Sequence, residues 1–208
     1  MKKVKRLLIL ASGVIFMVGC STNIPMSIAM DDELVYDLEV NDSVTVALSF
    51  ENQMVEGSFF QYEKDAYSTL SPVEDELVFN EYFVLDQMFR DFLRYRFTNS
   101  SKTSLAQVKV SLKAVTISSE ITENDAATAL NSLLLIPNTR LYSAEIQAEV
   151  IIIYLGQTYK RTIFGKGAGR GEAFRKTKAD VNAFSRVLNQ ANNRVIYFTN
   201  QFLKDVGL

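Results

Sequence analysis

Few residues of this 208-residue chain have side chains suited to nucleophilic or metal chemistry. The sequence contains no His and a single Cys, at position 20. Without His there is no Ser–His or Cys–His pair to activate a nucleophile, and no imidazole to bind a metal. The 24 Asp and Glu residues leave carboxylate chemistry open, but their number is ordinary for this length. We therefore expect no enzyme, no metal site and no cofactor, and the remaining candidate for covalent chemistry is Cys20.

Cys20 follows a segment typical of an export signal. An uncharged apolar run over residues 7–18 ends at Gly19-Cys20. The run is preceded by four cations: Lys2, Lys3, Lys5 and Arg6. A basic segment followed by a short apolar one is typical of a signal peptide. Its length of about 12 residues is below the roughly 20 that a membrane-spanning helix needs.

The end of this segment, Met17-Val18-Gly19-Cys20, resembles a bacterial lipobox. The resemblance implies that residues 1–19 are removed and that Cys20 carries a thioether-linked diacylglycerol, which with a further acyl chain such as palmitate would give stable anchoring. Ser21 implies the outer membrane, since enterobacterial lipoproteins held at the inner membrane carry Asp there. Lipidation also explains a lone Cys in an exported chain. The alternatives are an uncleaved anchor helix and a non-lipidated signal cut elsewhere.

Charge and composition describe what would remain after cleavage. Removing residues 1–19 takes four of the 22 Lys and Arg residues and leaves 18 against 24 acids, a net charge of −6. An acidic domain is a poor partner for nucleic acid. We predict a lipidated N-terminus and tether over 20–42 and one periplasmic domain over 43–208.

The first part of that domain predicts one or two strands and a helix. Ser43 to Phe50 is rich in Val and Thr, and residues 55–62 are a candidate hairpin partner across a Glu51-Asn52-Gln53 turn. Ser71-Pro72-Val73-Glu74 fits a capping box with Pro at the first helical position. The apolar residues that follow at mostly helical spacing are Leu77, Tyr82, Leu85, Phe89, Phe92, Leu93 and Phe97.

The second part predicts three further strands and a long helix. Leu105 to Thr122 alternates, with Val108, Val110 and Leu112 on one face. Ser143 to Lys166 predicts a hairpin turning at Gly156-Gln157. The helix after it carries an unbroken a/d stripe, which predicts either a core-facing helix or a dimer seam. That stripe consists of Phe174, Thr177, Val181, Phe184, Leu188, Ala191, Val195, Phe198 and Phe202. We favour the core, because few complementary charges flank the stripe.

The order β(β)-α-β-β-β-α predicts an α+β two-layer sandwich, with a mostly antiparallel sheet and two amphipathic helices on one face. With the lipobox, residues 144–202 resemble the YajG family of outer-membrane lipoproteins. The topology is also similar to that of the lipopolysaccharide-assembly lipoprotein LptE and of PqiC, a lipoprotein of a lipid-transport system. The chain departs from the first family by a longer insertion over 123–142.

Two local features are candidates for binding. Lys166 and Arg170 lie in a glycine-rich stretch over 165–171, where they could hold an anion beside a helix N-terminus, or where the glycines bend a strand end. The stretch matches neither G-x-G-x-x-G nor the P-loop. The second feature, in residues 126–136, is an apolar group that predicts either a core element or a surface for a partner or lipid. Its members are Leu130, Leu133, Leu134, Leu135 and Ile136.

These features favour a protein that acts by binding. The first hypothesis is a lipid-anchored accessory lipoprotein on the periplasmic face of the outer membrane, supporting an envelope assembly or transport machine through an unknown protein partner. The second is a lipid or lipopolysaccharide carrier with a hydrophobic groove. An enzyme that uses carboxylates alone is a third. An apolar cavity would favour the carrier, and a filled core the accessory protein.

Overall fold

The computed structural model describes residues 22–23, 30, 38–54, 77–78, 81–97, 104–121, 127, 130–131, 134, 138–173 and 178–208. Its elements, in chain order, are β1 (Thr22–Asn23), β2 (Val44–Asn52), β3 (Leu77–Val78), α1 (Glu81–Arg96), β4 (Ser104–Ile121), β5 (Asn138–Tyr154), β6 (Gln157–Ala173) and α2 (Lys178–Asp205). Residues 1–20 and the candidate strand over 55–62 lie outside the described residues.

A four-stranded sheet in the order β2-β4-β5-β6 forms the first layer of the fold. β4, β5 and β6 pair antiparallel, while β2 lies parallel to β4, with Val44 opposite Ser104. A β-bulge between Leu112 and Ala114 interrupts the β4–β5 register. β1 and β3 pair separately as a two-residue parallel ladder.

Both helices cover the same face of this sheet. The Phe50 ring of β2 lies 5.7 Å from the Phe89 ring of α1. The Tyr142 ring of β5 lies 5.0 Å from the Phe184 ring of α2, edge to face. The inward residues of the central strands are buried: Ala106, Val108, Val110, Leu112, Ile146, Ala148, Val150 and Ile152. The predicted α+β two-layer fold is therefore confirmed, including the β-α-β-β-β-α order.

The neighbour of β2 differs from the predicted hairpin. Glu51 and Asn52 belong to β2 and pair with Ser111 and Leu112 of β4, so the predicted turn at Glu51-Asn52-Gln53 is wrong. The alternation of apolar residues in β2 identifies its buried face but carries no information on which strand lies beside it. A parallel pair needs a crossover connection, and here α1 lies between the two strands in sequence.

The first helix begins later than predicted. Leu77 and Val78 form β3, and α1 starts at Glu81 rather than near Pro72. Leu77 and Val78 lie opposite Thr22 and Asn23 in the β1–β3 ladder, a pairing between distant residues that helical periodicity could not anticipate.

The β5–β6 hairpin turns one residue earlier than predicted. Leu155 and Gly156 are the two loop residues, with φ of 50° and 76°, and Gln157 already pairs with Tyr154. Positive φ at both loop positions matches the right-handed twist of the strands and gives a tight two-residue turn. β5 also begins at Asn138, so residues 138–142, predicted to be part of an insertion, are strand.

The stripe on α2 is core, as favoured from its sequence. Phe184, Leu188, Ala191, Val195 and Phe202 are buried against the sheet and α1. Phe198 is the exception, since it remains 45% exposed on the flank of the helix. Residues 174 and 177 lie outside the described residues, as does the side chain of Val181.

Arg96 joins the end of α1 to the last residue of the sequence. It is 1% exposed, and its Nη2 donates to the main-chain oxygen of Leu208 at 2.8 Å. Nη1 donates to the Glu39 carbonyl at 3.4 Å, and the guanidinium lies over the Phe97 ring. Hydrogen bonds from a charged donor such as this one contribute about 1.5–3 kcal/mol.

Replacing Arg96 with Met keeps the stem but removes these donors. We expect Arg96→Met to lower the free energy of unfolding by about 2–3 kcal/mol, because the buried Leu208 oxygen and the partly buried Glu39 carbonyl lose a charged donor. Urea denaturation measures the change. Arg94→Met is the matched control, since that side chain is 81% exposed and its loss should cost at most about 0.5 kcal/mol. Equal losses in the two variants would show that the Arg96 contacts do not stabilise the fold.

Candidate functional site

A buried carboxyl group lies between the two helices. Glu81, the first residue of α1, is 1% exposed, and Asn192 of α2 is 0% exposed. Burial raises the pKa of Glu81 to about 8, and the nearby Asn192 amide partly opposes this shift. In the described part of the structure, neither carboxyl oxygen nor either Asn192 amide atom reaches hydrogen-bond geometry with a partner. Glu81 is therefore mainly protonated at pH 7.

Sequence reasoning missed Glu81, although its spacing from the apolar residues of α1 indicates a buried position. It lies four residues before Leu85 and eight before Phe89, on the apolar stripe of α1. A carboxyl with a raised pKa is a candidate general acid. At 1% exposure, however, a substrate does not reach it. The group therefore bears on the packing of the helices rather than on catalysis.

Lys166 and Arg170, the proposed anion site, lie on the sheet face that the helices leave open. Both belong to β6 and are exposed, so the glycine-rich stretch is strand rather than the expected connection before the helix. The Lys166 ammonium pairs with the Glu145 carboxylate of β5 at 2.8 Å. Arg170 has no ion pair among the described residues. The two cations share a face, and anion binding there stays a prediction.

A row of charges crosses the same open face. Glu149 of β5 lies between Lys160 of β6, at 2.8 Å, and Lys113 of β4, at 3.7 Å. A hydrogen bond from Lys160 and the charge of Lys113 lower the pKa of Glu149. Such partly exposed pairs stabilise a fold little. Their main effect is to fix the positions of charged groups on a rigid surface.

The apolar segment over 126–136 is described in part. Ala127, Leu130, Asn131 and Leu134 are helical. Leu130 is 55% exposed and Leu134 is 59% exposed, and the two lie one turn apart. Leu133, Leu135 and Ile136 lie outside the described residues. A partner- or lipid-contact surface at this segment stays a prediction.

In the part of the chain that the structure describes, no three His, Cys, Asp or Glu side chains cluster to hold a metal ion. Neither described helix combines the length and apolarity needed to cross a membrane.

Comparison with family models gave no match, and neither did comparison with curated proteins. A solved structure described as the crystal structure of an uncharacterized protein is similar to this chain, with a TM-score of 0.43 and 10% sequence identity. The alignment covers 81% of this chain and 96% of that protein. No function follows from this similarity.

Proposed function

We propose that the chain is a lipid-anchored periplasmic accessory protein that supports an envelope assembly or transport machine by binding another protein. The anchor is the lipidated Cys20, on the periplasmic face of the outer membrane. The observation that carries the proposal is the contrast between the two sheet faces. One is covered by helices and its described side chains are buried, while the other presents exposed, ion-paired charged groups.

The filled face favours protein binding over lipid transport. Four consecutive inward side chains of α1 are completely buried, and so are the strand residues beneath them. These helix residues are Leu85, Met88, Phe89 and Phe92. A lipid carrier would need an apolar cavity of at least about 300 Å³. In the described part of the chain, the inward side chains of the helices and of the sheet belong to one buried cluster, whereas the open face is available to a partner.

Site-specific crosslinking in intact cells tests this proposal. A photo-crosslinking amino acid replaces Lys109, which is exposed on the open face of β4, or Arg94, which is exposed on α1. We expect the Lys109 position to give a discrete crosslinked envelope protein and the Arg94 position to give none. The Cys20→Ser variant, carrying the same crosslinker, should remain unprocessed or become soluble and lose the crosslink.

Two results would contradict the proposal. Retention of Cys20→Ser in the membrane fraction at wild-type size would refute the lipid anchor. Equal crosslinking from the Lys109 and Arg94 positions, or none from either, would refute a partner on the open face.

A further inference from the structure

The outer edge of β6 presents a row of main-chain groups. Tyr154 and Gln157 flank a two-residue turn and therefore form a hydrogen-bonded pair. Along an antiparallel ladder every second residue pair is hydrogen-bonded in this way, so the odd-numbered residues of β6 bond to β5. The β5–β6 register runs without a bulge to Ala173. The N–H and C=O groups of the intervening β6 residues therefore point away from β5. These edge residues are Thr158, Lys160, Thr162, Phe164, Lys166, Ala168, Arg170 and Glu172.

One hydrogen bond on this edge shows that an outward main-chain group can bind a partner outside the sheet. The main-chain N–H of Ala168 donates to Oε1 of Gln190 on α2, at 3.2 Å. The contact confirms the outward direction of the even-numbered groups. It is exposed, and a side-chain amide oxygen there occupies the position that a carbonyl of an added strand would take. In the described part of the chain, the other edge groups of β6 have no such contact.

Cations line both sides of this edge. Lys160, Lys166 and Arg170 project onto the open face of the sheet, because they alternate with the helix-facing residues of β6. On the helix side, Arg194 follows Gln190 by four residues and so lies on the same flank of α2. Arg194 is exposed and has no ion pair among the described residues. Lys160 is ion-paired with Glu149, and Lys166 with Glu145. The positive charge that a partner could neutralise at this edge is therefore that of Arg170 and Arg194.

We propose that the outer edge of β6 binds an extended, acidic segment of a partner protein as an added strand. Strand addition supplies main-chain hydrogen bonds for affinity, and alternate side chains supply specificity. Acidic residues in the added strand would lie on the open face beside Lys160, Lys166 and Arg170. The alternating apolar residues would lie on the helix side, where Phe198 is exposed on the same flank of α2 as Arg194. A second copy of this chain fits less well, because pairing β6 with itself brings the same cations together. The proposal rests on the proposed function, since it specifies how the partner protein is bound.

Binding of a designed peptide to the purified full-length chain tests the proposal without cells. The probe is a fluorescent peptide of roughly nine residues, which spans about 30 Å of edge, with alternating Glu and Val. We expect saturable binding and slower amide hydrogen exchange at Lys160, Thr162, Phe164 and Lys166. A peptide with Lys in place of Glu should bind at least about tenfold more weakly, because charge complementarity is lost. This experiment can fail while the cellular crosslink is found, which separates the two proposals.

Variants of the edge make the result specific. Ala168→Pro removes an outward N–H that the β5–β6 ladder does not use, so a folded protein with at least about tenfold weaker binding is expected. Ala168→Thr keeps the N–H and should bind as the wild type does. Gln190→Ala frees the Ala168 N–H and should strengthen binding about two- to threefold. The proposal is overturned if the acidic peptide slows hydrogen exchange at none of the four edge amides from Lys160 to Lys166. It is also overturned if the Lys peptide binds equally well, or if the chain dimerises through β6 instead.

Discussion

Alanine at Gly165 or Gly167 is expected to lower the free energy of unfolding by about 3 kcal/mol or more. Both glycines lie on the helix-facing side of β6, where the backbone of α2 approaches them directly. A Cβ on Gly165 would overlap the Ala191 carbonyl oxygen and lie 2.6 Å from a Val195 methyl. A Cβ on Gly167 would overlap the Val187 oxygen and lie 2.7 Å from its carbonyl carbon. Overpacking costs about 1–3 kcal/mol, and more when the obstacle is backbone.

Gly169→Ala is the matched control for these two changes. It lies on the same face of β6, yet its added Cβ would meet a Val187 methyl at 3.4 Å. We expect little change, or a gain of about 0.5 kcal/mol, because Ala is less flexible than Gly in the unfolded chain. Thermal unfolding of the three glycine variants measures these differences. A loss of about 3 kcal/mol corresponds to a fall in melting temperature of roughly 6–12 °C in a domain of this size. If all three variants melted alike, close helix–strand contact would not be the reason for the glycines.

The second large effect concerns Glu81. We expect Glu81→Gln to stabilise the protein by about 3 kcal/mol at pH 7. The folded protein raises the pKa of Glu81 from 4.5 to about 8, so it binds the proton more tightly than the unfolded chain does. The stability from this group is complete below about pH 4.5 and is lost as the pH rises toward 8, by about 1.4 kcal/mol per unit. Gln resembles the protonated form and does not titrate.

Urea denaturation across this pH range measures the difference between the two proteins. The advantage of Glu81→Gln should be small near pH 4.5, grow with rising pH and level off above pH 8. Glu149→Gln is a control of opposite sign, because neighbouring lysines lower the pKa of Glu149. Its carboxylate adds stability above the unfolded-state pKa, and that contribution is lost as the pH falls. A constant difference between Glu81→Gln and wild type at every pH would refute the buried, protonated carboxyl.

Much of the fold could be predicted because its central elements have strong periodicity. β4 and the β5–β6 hairpin alternate apolar and polar residues over many positions, and α2 repeats its stripe over several turns. These patterns identify faces as well as elements, so the burial of Val108, Ile146 and Leu188 followed from sequence. Alternation does not identify the partner of a strand. For this reason the parallel contact of β2 with β4 was missed.

The candidate sites were predicted less well, for local reasons. Glycines weaken a strand prediction, so β6 was expected to end near Lys166. Only the approach of α2 to Gly165 and Gly167 explains why glycine is needed within that strand. Glu81 was missed because its charge suggested a solvent-exposed position, whereas its spacing from Leu85 placed it in the core. In both cases the deciding contact is with α2, which is distant in sequence.

The parallel pairing of β2 with β4 also bears on the order of folding. The β5–β6 hairpin closes a two-residue loop, a step that takes microseconds. Val44, by contrast, meets Ser104 sixty positions further along the chain, and the entropy of closing so long a loop delays such contacts. We therefore expect the hairpin and α2 to associate first and β2 to dock last. Until β2 docks, we expect β4 to expose a free strand edge, at which partly folded chains can aggregate.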